Sequence, residues 1–100
     1  MRRGPAEPVR SGYAIFIPTL HQGDTPAWHD GETGLPVVYQ TEREAQREVA
    51  EHQQTLIQQF LDGERDFEDA MTVEDFILPV DVWADGSIST EDGRVYGKQP

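Results

Sequence analysis

The chain has 100 residues, enough for one domain, and its lack of cysteine excludes disulfides and thiolate metal sites and is typical of a cytoplasmic protein. Its formal net charge is −11, and residues 11–100 alone hold 18 acidic and 5 basic residues, a net −13. A body this acidic repels phosphate groups and anionic lipids, so we expect neither direct nucleic-acid binding nor membrane binding.

The N-terminal part of the chain is predicted to be a tail followed by a central strand. Residues 1–12 contain two prolines, two glycines and no apolar period, which indicates a flexible tail. We expect residues 13–97 to form a single domain and 98–100 a loose C-terminus. The first strand is predicted from Tyr13 to Pro18, where apolar side chains occupy both faces, a pattern typical of the centre of a sheet.

The segment before the helix is predicted to contain two further short strands. His21 to Thr25 is polar and is expected to be a connection. Ala27 to His29 favours a short strand, and Asp30 to Gly34 is typical of a hairpin turn. Val37 to Gln40 then predicts the strand that leads directly into the helix.

A long helix is predicted between Thr41 and Gly63. Thr41 and Glu44 have the spacing of a capping box, and Gly63 suits the left-handed residue that ends a helix. One apolar stripe, expected to be buried against the sheet, consists of Ala45, Val49, Leu56 and Phe60. Three further apolar residues widen the arc and imply a second packing partner: Ala50, Ile57 and Leu61.

The helix is followed by the most acidic stretch of the chain, Asp62 to Asp75, which holds seven acids and one base, Arg65. Phe67, Ala70 and Met71 have the spacing of one turn of amphipathic helix, and whether residues 64–71 are helical stays open at this stage.

The C-terminal part predicts two strands, the second from Ser87 to Thr90, and a candidate for a last short one. Phe76 to Val82 alternates apolar and other residues, and Pro79 indicates that this strand pairs on one side at that point or lies at an edge. Asp85-Gly86 is a strong hairpin signal, and a last strand is predicted at Val95-Tyr96 after the turn at Asp92-Gly93. The expected fold is therefore α+β: an antiparallel sheet of about four or five short strands with one long helix packed on one face, in the order β-β-β-α-(α)-β-β.

No catalytic signature is present, so we expect a protein that is not an enzyme and uses no cofactor. The chain has no nucleophile elbow, no glycine-rich phosphate loop and no His-Glu-x-x-His motif. Asp81 to Asp92 partly matches a calcium loop, but Trp83 stands where an oxygen ligand belongs, which favours a plain hairpin. His21, Asp24, His29 and Asp30 match no metal-ligand spacing.

Three runs of the sequence, VVYQTEREAQREVAEHQQ, FLDGERDFEDAMTVEDF and VWADGSI, resemble a family of small bacterial proteins of unknown function. The likeness covers roughly residues 13–93 and implies no site residues. The strands that lead through Thr41, Glu44 and Ala45 into a helix are more loosely similar to antitoxins of the HicB type. That likeness does not extend to a C-terminal DNA-binding module, which argues against a repressor role.

The charge distribution predicts a protein-interaction module. Concentrating carboxylates beside Phe67, Met71 and Phe76 gives an acidic rim next to apolar anchors, the layout of a binding patch for a basic protein surface. The patch comprises Asp62, Glu64, Asp66, Phe67, Glu68, Asp69, Met71, Glu74 and Asp75. The alternatives are an acidic nucleic-acid mimic or antitoxin-like inhibitor of a basic protein, and a small enzyme or metal-binding protein. A homo-oligomer, and structural or functional roles for His52, Trp28 and Trp83, stay open.

Overall fold

The computed structural model describes residues 7–21 and 23–97, which form five strands and two helices. In chain order these are β1 (Arg10–Thr19), β2 (Gly23–Pro26), α1 (Glu42–Leu61), α2 (Phe67–Met71), β3 (Phe76–Val82), β4 (Ile88–Ser89) and β5 (Val95–Tyr96). All neighbouring strands are antiparallel, in the order β2-β1-β3-β4-β5. The predicted α+β class, with an antiparallel sheet and one long helix, is confirmed.

β1 lies at the centre of the sheet, between β2 and β3, as its two apolar faces predicted. Ala14 and Phe16 point to one face, where they form a buried cluster with three residues of β3 and β4: Val80, Val82 and Ile88. Ile15 points to the other face and is just as inaccessible, with 2% of its surface exposed. A strand buried on both sides requires a covering layer on each.

On the face of Phe16 the sheet covers itself by curling into a nearly closed barrel. The ring of Tyr96 in β5 meets that of Phe16 edge to face, with centroids 5.3 Å apart. The Tyr96 hydroxyl donates a hydrogen bond of 2.9 Å to the carbonyl oxygen of Asp24 in β2. The two ends of the strand order are thereby brought together around one apolar interior.

The other face, that of Ile15, lies towards the helices. α1 contacts both β1 and β3, and it contacts α2. Ala45 of α1 and Ala70 of α2 are fully buried although neither belongs to the cluster inside the barrel. Small side chains at these positions allow the helix backbones to approach closely.

The prediction that Pro79 pairs on one side is confirmed. Tyr13 exchanges backbone hydrogen bonds with Tyr39, so its own N–H and C=O point away from β3. Pro79 stands opposite Tyr13 and therefore directs its nitrogen away from β1, towards β4. Since β4 pairs with β3 only at Asp81 and Val82, no partner is deprived of a donor at Pro79.

The N-terminal half differs from the prediction in two places. β1 begins at Arg10 rather than Tyr13, because Arg10 to Gly12 pair with β3; this shortens the expected tail, of which residues 1–6 lie outside the described part. β2 occupies part of the segment predicted to be a connection. Its glycine, aspartate and proline are poor strand formers, and its conformation follows from pairing with β1.

The predicted strands at 27–29 and 37–40 are replaced by isolated bridges. His29 pairs with Pro36 and Tyr13 with Tyr39, with no longer ladder around either pair. The turn between them is present, because the amide of Gly34 donates to the carbonyl of Asp30. The segment is thus a hairpin-like connection, and its second arm pairs with β1 at the bridge between Tyr39 and Tyr13.

Both ends of α1 form as predicted. The side chain of Thr41 accepts a hydrogen bond of 3.1 Å from the amide of Glu44, whose carboxylate accepts one from the amide of Thr41. At the other end Gly63 has a φ of 82°, and its amide donates to Phe60. The amide of Glu64 donates to Gln59, which completes a Schellman motif.

The predicted burial of Leu56 and Phe60 against the sheet is wrong. In α1, all of which the structure describes, Ala45 alone is buried, whereas Leu56 and Phe60 are partly exposed. The ring of Phe60 packs edge to face on Phe67 of α2, with centroids 5.3 Å apart. The second half of the helix therefore packs on α2, the second partner that its wide apolar arc implied.

Phe60→Ala is accordingly expected to lower the free energy of unfolding by about 1–2 kcal/mol, less than the about 3–5 kcal/mol of a phenylalanine truncated in a sealed core. Part of the Phe60 ring is already in water, and Phe67 can shift to fill the space. Urea denaturation measures the difference. A loss of about 3–5 kcal/mol in the free energy of unfolding would show that Phe60 is covered in solution.

Candidate functional site

The acidic surface is the set of predicted patch residues on the α1–α2 turn, α2 and the segment that follows it. All are exposed except Asp75, which is partly exposed: Asp62, Glu64, Asp66, Phe67, Glu68, Asp69, Met71, Glu74 and Asp75. The structure thus presents the predicted patch residues to solvent along one continuous stretch of chain, with α2 in its middle.

Large apolar side chains are exposed in the same region. Phe67 and Met71 are 58% and 49% exposed, as the predicted patch requires. Leu61 and Val73 are 67% and 55% exposed and extend the apolar area, although the sequence had placed Leu61 on the packed face of the helix. Phe76 was predicted as a third anchor, and this is wrong: its ring lies against Phe16, with centroids 6.1 Å apart.

The position of α2 is held by side chains of α1 and of the turn between the helices. Gln53 donates a hydrogen bond to the carbonyl of Ala70. Arg65 donates from Nε to Oε1 of Gln59 at 2.7 Å and from Nη1 to the carboxylate of Asp69. Together with the contact between the rings of Phe60 and Phe67, these bonds hold α2 against α1.

A groove lies between α1 and the chain that leaves α2. Its cavity volume is about 480 Å³, and Val49 and Leu56 of α1 are partly buried in its lining. Four carboxylates also line it, those of Glu68, Asp69, Glu74 and Asp75, against one cation, Arg65, which is paired with Asp69; His52 lines it as well. The groove therefore combines apolar wall with negative charge and opens on the acidic surface.

The charge of the acidic surface is largely uncompensated. Arg65 is the one basic residue between positions 62 and 75, and its ion pair with Asp69 engages it. Six further carboxylates share that stretch. Because exposed charges act over about 8 Å at physiological ionic strength, neighbouring carboxylates repel one another and together attract cations.

The other sequence candidates have local structural roles. Oδ1 of Asp85 accepts bonds of 3.0 and 2.6 Å from the amide and hydroxyl of Ser87, and the indole of Trp83 donates to Ser89. These bonds form the predicted hairpin at Asp85-Gly86. In the ranges 7–21 and 23–97, no group of three or more histidine, aspartate or glutamate residues is placed to hold a metal ion.

The first loop also uses its side chains locally. Oδ1 of Asp30 accepts hydrogen bonds from the amides of Glu32 and Thr33, which lower the pKa of its carboxyl group. His52 of α1 lies edge to face on Trp28, with ring centroids 5.5 Å apart. This contact joins the loop to the helix and gives both rings a packing role.

No helix among the described residues is long and apolar enough to cross a bilayer. Comparison with known protein families, with curated proteins and with solved structures finds no match to the chain.

Proposed function

We propose that this protein is a non-catalytic interaction module whose acidic surface binds a basic surface of another protein. The observation that supports this most directly is the coincidence of exposed apolar side chains with uncompensated carboxylates. Leu61, Phe67, Met71 and Val73 are all about half exposed or more; the last three lie among the acids of residues 62–75 and Leu61 directly precedes them. An inhibitor of a basic protein, of the antitoxin kind, is one form that such a module takes.

The two kinds of side chain have separate tasks in such an interface. The apolar side chains supply the area that is removed from water, and Phe67 is the largest of them. The carboxylates attract a basic partner from a distance and favour the orientation in which opposite charges meet. Solubility alone needs neither their concentration in one stretch nor the apolar side chains among them.

The exposed apolar side chains favour a protein-binding surface over a mimic of nucleic acid. A mimic needs regularly placed negative charge, and exposed leucine and phenylalanine add nothing to the recognition of a phosphate-binding groove. Phe67 is instead held in place by Phe60, as an anchor residue in a protein interface is.

The test neutralises three carboxylates of the acidic surface together, with Asp66→Asn, Glu68→Gln and Glu74→Gln. Asp69 is left unchanged because Arg65 depends on it. The probe is a short capped peptide in which lysine alternates with valine. We expect the variant to associate with it about tenfold more slowly than the parent at low salt, because steering by charge is lost. Stopped-flow fluorescence at low and high salt measures the rates.

The matched control carries the same change of net charge elsewhere, with Glu7→Gln, Glu32→Gln and Glu91→Gln. All three side chains are exposed and lie outside the acidic surface. We expect the control to bind nearly as fast as the parent. If the association rate falls by the same factor in both variants, net charge alone attracts the peptide, and the proposed site is wrong.

A further inference from the structure

Residues 73–75, beside the groove, lie beyond the end of the ladder between β1 and β3. The β1–β3 ladder ends at the pair Phe16 and Phe76. Because even-numbered residues of β1 face β3, the next pair to exchange hydrogen bonds would be Pro18 and Glu74. Pro18 has no N–H to donate, so the ladder stops there and Glu74 has no donor opposite it. Val73 and Asp75 alternate with Glu74 and face the other side, where β4 pairs with β3 only at Asp81 and Val82.

Next to the end of this ladder, Val73 and Glu74 are exposed and Asp75 is partly exposed. Thr72 leaves α2 in an extended conformation, with φ −87° and ψ 128°. In the ranges that the structure describes, the backbone groups of Val73, Glu74 and Asp75 have no hydrogen-bond partner. These residues also line the groove whose opposite wall contains Val49 and Leu56 of α1.

We propose that this groove binds an extended basic segment of the partner protein, whose main chain pairs with residues 73–75. This inference rests on the proposed function and specifies its binding mode. An extended segment offers a row of free N–H and C=O groups, whereas a helix has used its own. The unpaired chain at 73–75 therefore favours an extended occupant.

The side chains of the groove specify the composition of that segment. Alternate residues of an extended chain point to opposite sides, so one set reaches Val49 and Leu56 and favours apolar side chains. The other set faces outwards, where long cationic side chains reach the carboxylates of Glu68 and Glu74. Alternating apolar and basic residues satisfy both sides of the groove.

The test compares three capped peptides on the unaltered protein. The first alternates lysine with valine, the second is the same peptide with all main-chain amides N-methylated, and the third has glutamate in place of lysine. We expect the first peptide to shift the amide resonances of residues 73–75 and the second to bind about tenfold more weakly, because it has lost main-chain donors. Nuclear magnetic resonance titration measures both.

The other outcomes separate the two proposals. If the N-methylated peptide binds as tightly as the first, or if residues 73–75 do not respond, main-chain pairing is wrong while the acidic surface still binds basic chains. If the lysine peptide binds no better than the glutamate peptide, the proposed function is wrong and the binding mode falls with it.

Discussion

Phe16→Ala is expected to lower the free energy of unfolding by about 3–5 kcal/mol, the largest effect of any single truncation considered in this protein. Phe16 is fully buried and contacts the rings of both Phe76 and Tyr96. Its removal leaves a cavity at the point where the curled sheet closes, and neither neighbouring ring can fill it without leaving its own strand.

Urea denaturation of Phe16→Ala and Phe16→Leu, monitored by tryptophan fluorescence, measures the effect. The leucine variant keeps most of the volume and is expected to lose no more than about 1.5 kcal/mol, so it remains measurable if the alanine variant is unfolded. Phe60→Ala provides the comparison, because Phe60 is partly exposed whereas Phe16 is fully buried. A smaller loss for Phe16→Ala than for Phe60→Ala would contradict the nearly closed barrel.

Gly12→Ala is expected to lower the free energy of unfolding by about 1–3 kcal/mol, the usual cost of forcing atoms into a packed site. A Cβ atom at Gly12 would lie 2.6 Å from the backbone oxygen of Tyr39 and 2.7 Å from Cγ1 of Val38. Since the oxygen belongs to the chain that pairs with Tyr13, it cannot move without weakening that bridge. Hydrogen exchange of the Tyr13 and Tyr39 amides should therefore be faster in the variant.

Gly31→Ala is the matched control for that substitution. Apart from its two neighbours in the chain, no described residue comes within 4 Å of a Cβ atom at Gly31, and its φ is outside the positive range. We expect this variant to be unchanged or more stable by up to about 1 kcal/mol, because alanine restricts the unfolded chain. Equal losses at the two positions would show that the close approach of the Tyr39 segment to Gly12 is wrong.

The acidic surface was predictable from the sequence in its charge and only partly in its apolar content. Seven carboxylates in residues 62–75 are visible in the sequence, and Phe67 and Met71 are exposed as expected. Phe76 and Leu61 were assigned to the wrong environments. Both residues lie in apolar patterns of the kind expected for a helix and a strand. Such a pattern does not show whether a neighbouring element reaches far enough to cover a given side chain.

The sequence by itself determined the ends of α1 and the central place of β1. The cap at Thr41 and the motif around Gly63 depend on hydrogen bonds between residues a few positions apart, so the local sequence specifies them. Because both faces of β1 are apolar, the sequence indicates that both are buried, although it does not indicate which elements cover them.

Only the tertiary structure decided what covers those faces and where the free backbone lies. The hydrogen bond from Tyr96 to Asp24 joins residues 72 positions apart, and β2 forms although its own residues disfavour a strand. The unpaired backbone at residues 73–75 likewise depends on the register of β1 and β3, which ends at the pair Phe16 and Phe76. Register and curvature arise from contacts distant in sequence, and no local pattern encodes such contacts.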